Sequence, residues 1–167
     1  MNENINIQAV PSFCLNHIQL DVLRLDELHP IVSGNKWFKL KYYLLQAQKQ
    51  NADTIASFGG PYSNHLVALA YAAKEYNLKS IGYVRSNIDE PITPTLQEAM
   101  QYGMDLKFVG RNNFQEFKKE LIENNQANHT YFIDEGGYGI LGAQGAATIL
   151  SNEKTNSYNH IICAVGT

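Results

Sequence analysis

From about residue 52 onward, short runs of β-branched and aromatic residues alternate with longer stretches whose apolar positions recur every three or four residues. A fully buried strand reads as an apolar run and an amphipathic helix as a 3.6-residue period, so the alternation predicts parallel strands joined by crossover helices. Residues 54–58 are the first such strand. Gly59-Gly60-Pro61 breaks it, and Ser63 or Asn64 can then cap a helix reaching residues 73–76, with Leu66, Ala70 and Ala73 at helical spacing. Strands follow at 79–84, 106–109 and 131–133, and helices at 95–102, 114–123 and 142–150. Pro94 suits an early helical position and Gly103 a helix stop.

Upstream, residues 18–25 alternate apolar and polar side chains, and 35–48 form a helical pattern carrying Leu40, Leu44 and Leu45. At the far end, residues 160–165 are nearly continuously apolar and predict another buried strand running into Gly166-Thr167. A buried parallel strand needs helices on its faces, and none follows it here. The expectation is an α/β fold: a three-layer open parallel sheet with helices on both faces, truncated within a larger unit.

Composition narrows the function. With 13 Lys and Arg against 16 Asp and Glu, the formal net charge of −3 leaves no basic footprint for nucleic acid. The 167 residues, 44% apolar and 17% charged, suffice for one ordinary globular core. Cys14 and Cys163 lie far apart without a CxxC, so neither a disulfide framework nor a structural zinc site is expected. The opening residues lack a basic region followed by an apolar one, and no apolar run approaches the ~18 residues of a bilayer span, so a soluble, cytoplasmic protein with no membrane contact is expected.

Two segments could carry chemistry, each at a predicted helix N-terminus, where free N–H groups and the macrodipole favour anions. In Ser33-Gly34-Asn35-Lys36-Trp37-Phe38-Lys39, the positive end of the helix dipole and burial beside Trp37 both favour a neutral Lys36 amine. Such an amine is a nucleophile able to form Schiff bases with carbonyl cofactors. The alternative is a solvated lysine on an amphipathic helix. In Gly59-Gly60-Pro61-Tyr62-Ser63-Asn64-His65, two glycines turn the chain at a strand's carboxyl end, the ligand edge of an open parallel sheet, and Ser63, Asn64 and His65 are expected to point outward together. Ser63 has neither glycine of G-x-S-x-G, so it is no hydrolase elbow. Simple capping, with His65 on the surface, is the rival reading.

Gly137-Tyr138-Gly139-Ile140-Leu141-Gly142 spells G-x-G-x-x-G, but the next predicted strand ends without the acidic residue a dinucleotide ribose needs, so tight turning and close packing are preferred. The pairs Asp26-Glu27 and Asp134-Glu135 are neighbours whose side chains diverge, and no metal site is expected. Lys118-Lys119-Glu120 reads as a solvated helix face.

Gly34-Asn35-Lys36-x-x-Lys39-Leu40, Gly59-Gly60-x-x-Ser63-Asn64-His65 and Ala164-Val165-Gly166-Thr167, in that order and spacing, resemble the 1-aminocyclopropane-1-carboxylate deaminase and D-cysteine desulfhydrase family. Its members are pyridoxal 5'-phosphate (PLP) enzymes of the tryptophan synthase β-like fold, PLP fold type II. The resemblance implies that Lys36 is the lysine bonded to the cofactor and that Asn64 holds its ring hydroxyl. It places Ser63 beside the substrate, with Asn64 and His65 completing that contact, and puts Lys39 near the phosphate, for which Gly166 and Thr167 begin the binding loop. It further implies a large domain contributing residues 1–39 and 140–167, a small α/β domain inserted at 40–139, a homodimer, and a small amino acid as substrate.

Several residues depart from the family pattern. Ser33 stands for the first glycine of Gly-Gly-Asn-Lys, Tyr62 for a common glutamine, and Lys41 for a frequent glutamate, while His65 is nearer the desulfhydrase pattern than the glutamine of deaminases. These tilt the expectation toward elimination from a D-amino acid such as D-cysteine, with a nucleotide- or anion-binding module as the alternative. Because the phosphate loop is incomplete, residues 1–167 alone are expected to be inactive.

Overall fold

The computed structural model describes residues 5–13, 18–87, 89–124, 129–151 and 155–163. Strands β1 (Asn6–Ala9) and β2 (Asp21–Arg24) pair antiparallel, with Asn6 opposite Arg24 and Ala9 opposite Asp21. Nothing in the short NIQA stretch announces β1, since four residues with one β-branched side chain carry no period. Helix α1 (Lys36–Lys49) follows the loop after β2 and buries Trp37, Phe38, Leu40, Tyr43 and Leu44.

The main sheet contains β3 (Thr54–Gly59), β4 (Lys79–Arg85), β5 (Met104–Val109) and β6 (Thr130–Ile133), all parallel, in the spatial order β5-β4-β3-β6. The chain steps outward from β3 to β5 and then returns to lay β6 on the other side of β3. Strand order therefore reverses between β3 and β6, which makes their carboxyl ends the topological switch point of the sheet.

Helices cover both faces. On one, α2 (Asn64–Glu75) and α3 (Pro94–Gln101) pack on β3, β4, β5 and each other, and Tyr43 of α1 meets Tyr131 of β6 at 6.4 Å between ring centroids. On the other, Phe58 stacks between Tyr83 and Phe132, and α4 (Phe114–Asn124) caps this aromatic row with Phe114 edge-on to Phe58. The expected three-layer arrangement is present.

Local signals explain the boundaries. Ser63, not Asn64, caps α2, and Thr93 caps α3 ahead of Pro94. Asn51 and Asn77 just beyond α1 and α2, and Gly103 beyond α3, adopt left-handed φ values of 52°, 56° and 91° that end those helices. Helix α5 (Ile140–Ala147) starts two residues earlier than expected and finishes as a 3₁₀ turn, Thr148–Leu150. Its glycines permit close packing: a Cβ on Gly142 would lie 2.0 Å from the carbonyl oxygen of Gly137 in the preceding turn and 3.4 Å from the Tyr43 ring of α1.

Two expectations are corrected here. Residues 160–163 form no strand, and Ile161 and Ile162 are 56% and 89% exposed. No strand among the described residues pairs with them, and an apolar run without a ladder partner has nothing to hold it extended and buried. Residues 164 and 165 of that expected strand lie outside the described residues. Lys118 is not solvated: its ammonium pairs with Asp134 and stands 5.3 Å from the Phe58 ring centroid, with the side chain 18% exposed. Long lysine stems readily cover apolar surface in this way.

Candidate active site

The loop before α1 is tied down by backbone and imidazole. His29 Nδ1 accepts hydrogen bonds from the amides of Ile31 and Val32, both at 3.1 Å, and the Gly34 amide donates to Leu25 O at 2.9 Å. Gly34 turns the chain with φ +64°, a conformation that suits glycine. Asn35 occupies the N-cap of α1 but makes no side-chain cap; its Oδ1 instead accepts from Lys36 Nζ at 3.0 Å. Lys36, the first residue of the helix, is half-buried. Burial pushes its amine below the ordinary lysine value, and the charge of Lys39 one turn on pushes the same way.

The second segment forms the turn from β3 into α2. A Cβ on Gly59 would lie 2.6 Å from Ser63 Oγ, so the strand can pass under the cap only as glycine. Ser63 N donates to Gly60 O at 3.1 Å, Ser63 Oγ accepts from the Leu66 amide at 3.4 Å, and the Thr93 hydroxyl donates to Pro61 O. Asn64 opens α2 and is exposed.

Lys36 and Asn64 line one cavity of about 340 Å³, together with Ser33, Gly34, Asn35, Val67 and Glu98. That volume lies at the small end of the range for ligand pockets. Ser63, Lys39 and His65 are not among its lining residues. Lys39 instead reaches the turn after β6, donating to Gly136 O at 3.5 Å. Gly166 and Thr167 lie outside the described residues.

His65 departs from the expectation of an outward side chain. It is 3% exposed, with Nε2 2.9 Å from Ser57 Oγ inside the sheet. The second position of α2 faces β3, and the short Ser57 side chain leaves room there for an imidazole. Burial, then the charges of Lys36 and Lys39, press its pKa from 6.5 down to about 3, against the opposing carboxylate of Asp134.

Sequence reasoning missed Glu98 and Ser57. Glu98 sits at the edge of the buried Leu96/Ala99 face of α3, and only the packing of α3 on α2 brings it to the cavity. Ser57 is one small residue in an apolar strand; a polar side chain inside a fully buried run was the available signal.

Residues 15–167 match the family described as pyridoxal-phosphate dependent enzyme. The chain belongs to that family. Pyridoxal phosphate is accordingly its cofactor, and the donor set fits: a half-buried amine with a lowered pKa for the aldehyde, and the Asn64 amide lining the same cavity.

Among relatives of this PLP family chain, a Thermotoga maritima protein named "Putative 1-aminocyclopropane-1-carboxylate deaminase" is 30% identical over 86% of this chain and 49% of its own length. An Arabidopsis thaliana protein named bifunctional D-cysteine desulfhydrase/1-aminocyclopropane-1-carboxylate deaminase, mitochondrial, is 28% identical over 84% of this chain and 37% of its own. The chain thus spans about half or less of the length of these curated relatives. A crystal structure described as an ACC deaminase homologue superposes with a TM-score of 0.73 at 23% identity, covering 89% of this chain and 48% of that one. This likeness shows the fold, the PLP fold type II architecture.

Proposed function

We propose that the protein is a PLP-dependent lyase or deaminase acting on a small D-amino acid or on 1-aminocyclopropane-1-carboxylate, with D-cysteine the favoured substrate. D-cysteine and water would leave as pyruvate, ammonia and hydrogen sulfide. The observation that carries this reading is the half-buried Lys36 amine sharing one cavity with Asn64.

When bound, PLP supplies an electron sink that stabilises negative charge at the substrate α-carbon. Lys36 would hold the cofactor through its amine and, once released, accept a proton there as a base, which a lowered pKa favours. Asn64 would bind the ring hydroxyl. Ser63, in the same turn, would position the substrate carboxylate near the free amides at the start of α2. His65, whose side chain is turned inward, would take part through its backbone. Lys39, with Gly166 and Thr167, would face the phosphate.

The assignment of residues 1–39 and 140–167 to one domain is supported by the close approach of Gly145 to the backbone of Phe38 and Lys39. Helix α1 runs unbroken across residues 39 and 40.

The test is spectroscopic. PLP added to the full-length protein should give a visible absorption band that Lys36→Ala abolishes, and D-cysteine should release sulfide there, though not from residues 1–167 alone. No band in the wild-type protein, or one that survives Lys36→Ala, sinks the reading.

A further inference from the structure

His65 is buried beside the proposed site, and the proposed chemistry uses its backbone and not its ring. Its partner Ser57 also donates to the backbone oxygen of Asp134, at 3.4 Å. A hydroxyl has one hydrogen. If that hydrogen goes to Asp134, Ser57 Oγ must accept from His65, so Nε2 carries the ring proton and Nδ1 is a bare acceptor. Nδ1 is buried and finds no hydrogen-bond partner.

The chain His65–Ser57–Asp134 spans three elements. His65 belongs to the first turn of α2, Ser57 to β3, and Asp134 follows β6, so the bonds tie α2 to the two strands between which the strand order reverses. The turn beyond Asp134 closes against the same ring: a Cβ on Gly137 would lie 3.6 Å from His65 Cε1 and 3.3 Å from Lys39 Cβ. Lys36 and Lys39 from α1 and Asp134 from the end of β6 are the charged groups acting on the ring.

An apolar side chain of similar size would fill this space without leaving a buried acceptor unpaired, a loss that works against folding. An imidazole placed here at such a cost suits a role other than stability. We propose that His65 is a positioning residue: through Ser57 it fastens the Ser63–Asn64 turn to the ends of β3 and β6, and so sets where Asn64 meets the cofactor. This rests on the PLP reading of the site.

PLP affinity, from spectroscopic titration of the intact protein, and the thermal midpoint without PLP separate positioning from packing. His65→Leu and Ser57→Ala should each weaken PLP binding about tenfold, the scale of one lost hydrogen bond. The double variant should lose no more than either alone, because both break one contact. His65→Gln, which keeps an N–H able to reach Ser57, should restore most of the affinity. His65→Leu should keep the wild-type midpoint or raise it. In ligand-free protein, side-chain ¹⁵N spectra should show His65 as the neutral Nε2–H tautomer. Wild-type affinity in His65→Leu overturns the proposal. So does an affinity loss that tracks a fallen midpoint and is not rescued by Gln. A wild-type protein that takes up no PLP overturns the function reading itself, and the proposal with it.

Discussion

Gly145 of α5 and Phe38 of α1 meet backbone to backbone: a Cβ placed on Gly145 would lie 1.9 Å from the Phe38 carbonyl oxygen. Neither partner can yield as a flexible side chain would, so the helices must separate. Gly145→Ala should therefore cost about 3 kcal/mol, the upper end of overpacking effects. Gly110→Ala, where a new Cβ meets nothing within 4 Å, should stay within about 0.5 kcal/mol. Urea unfolding of both variants measures the contrast, and equal stabilities would remove the claim that α5 is locked onto α1. Phe38 lies two residues beyond Lys36, so the separation should also weaken PLP binding.

Phe58 supports the opposite face of the sheet. It is fully buried, stacked with Tyr83 and Phe132 and edge-on to Phe114. Phe58→Ala should cost about 3–5 kcal/mol, as expected for an emptied aromatic site. Denaturant titration checks it; a loss under about 1 kcal/mol would mean that α4 can collapse onto the sheet without the ring.

Much of this architecture is legible in the sequence, and the failures have physical causes. β3 announces itself because both faces are covered, which turns it into a mostly apolar run, while β4 alternates fully buried and half-buried positions. The cap at Ser63, the early helical Pro94 and the stop at Gly103 follow from local side-chain and backbone chemistry. Residues 160–163 look identical to a buried strand by composition, but pairing is a property of neighbours, not of the run itself. Lys36 and Asn64 could be picked out by motif; that they share a cavity depends on how α1 and α2 pack. The inward turn of His65 depends on Ser57, eight residues earlier, being small and polar.

Acid should reveal His65 through stability. Its folded-state pKa of about 3 lies below the ordinary 6.5, so the unfolded chain binds the extra proton between these values. The contribution is complete above pH 6.5 and is lost as the pH falls toward 3, by up to about 1.4 kcal/mol per pH unit for one proton. Urea unfolding at pH 7 and pH 5 should show a steeper loss for the wild-type protein than for His65→Leu. Parallel losses would place the ring in contact with water.

The Lys36 amine offers the most direct check on the electrostatics of the site. Two causes hold its pKa below the ordinary 10.5: burial, which is larger, and the charge of Lys39. Lys39→Met removes the second and leaves the first. The protonated form of Lys36 then loses a repulsion, so its pKa must rise, though not all the way to that of a free lysine. Only the neutral amine reacts with an amine-directed reagent. The pH at which Lys36 is half-labelled, read by mass spectrometry of the ligand-free protein, should therefore move upward in Lys39→Met. An unchanged or lower midpoint at Lys36 would mean that the two ammonium groups do not sense each other, and that burial alone prepares the amine.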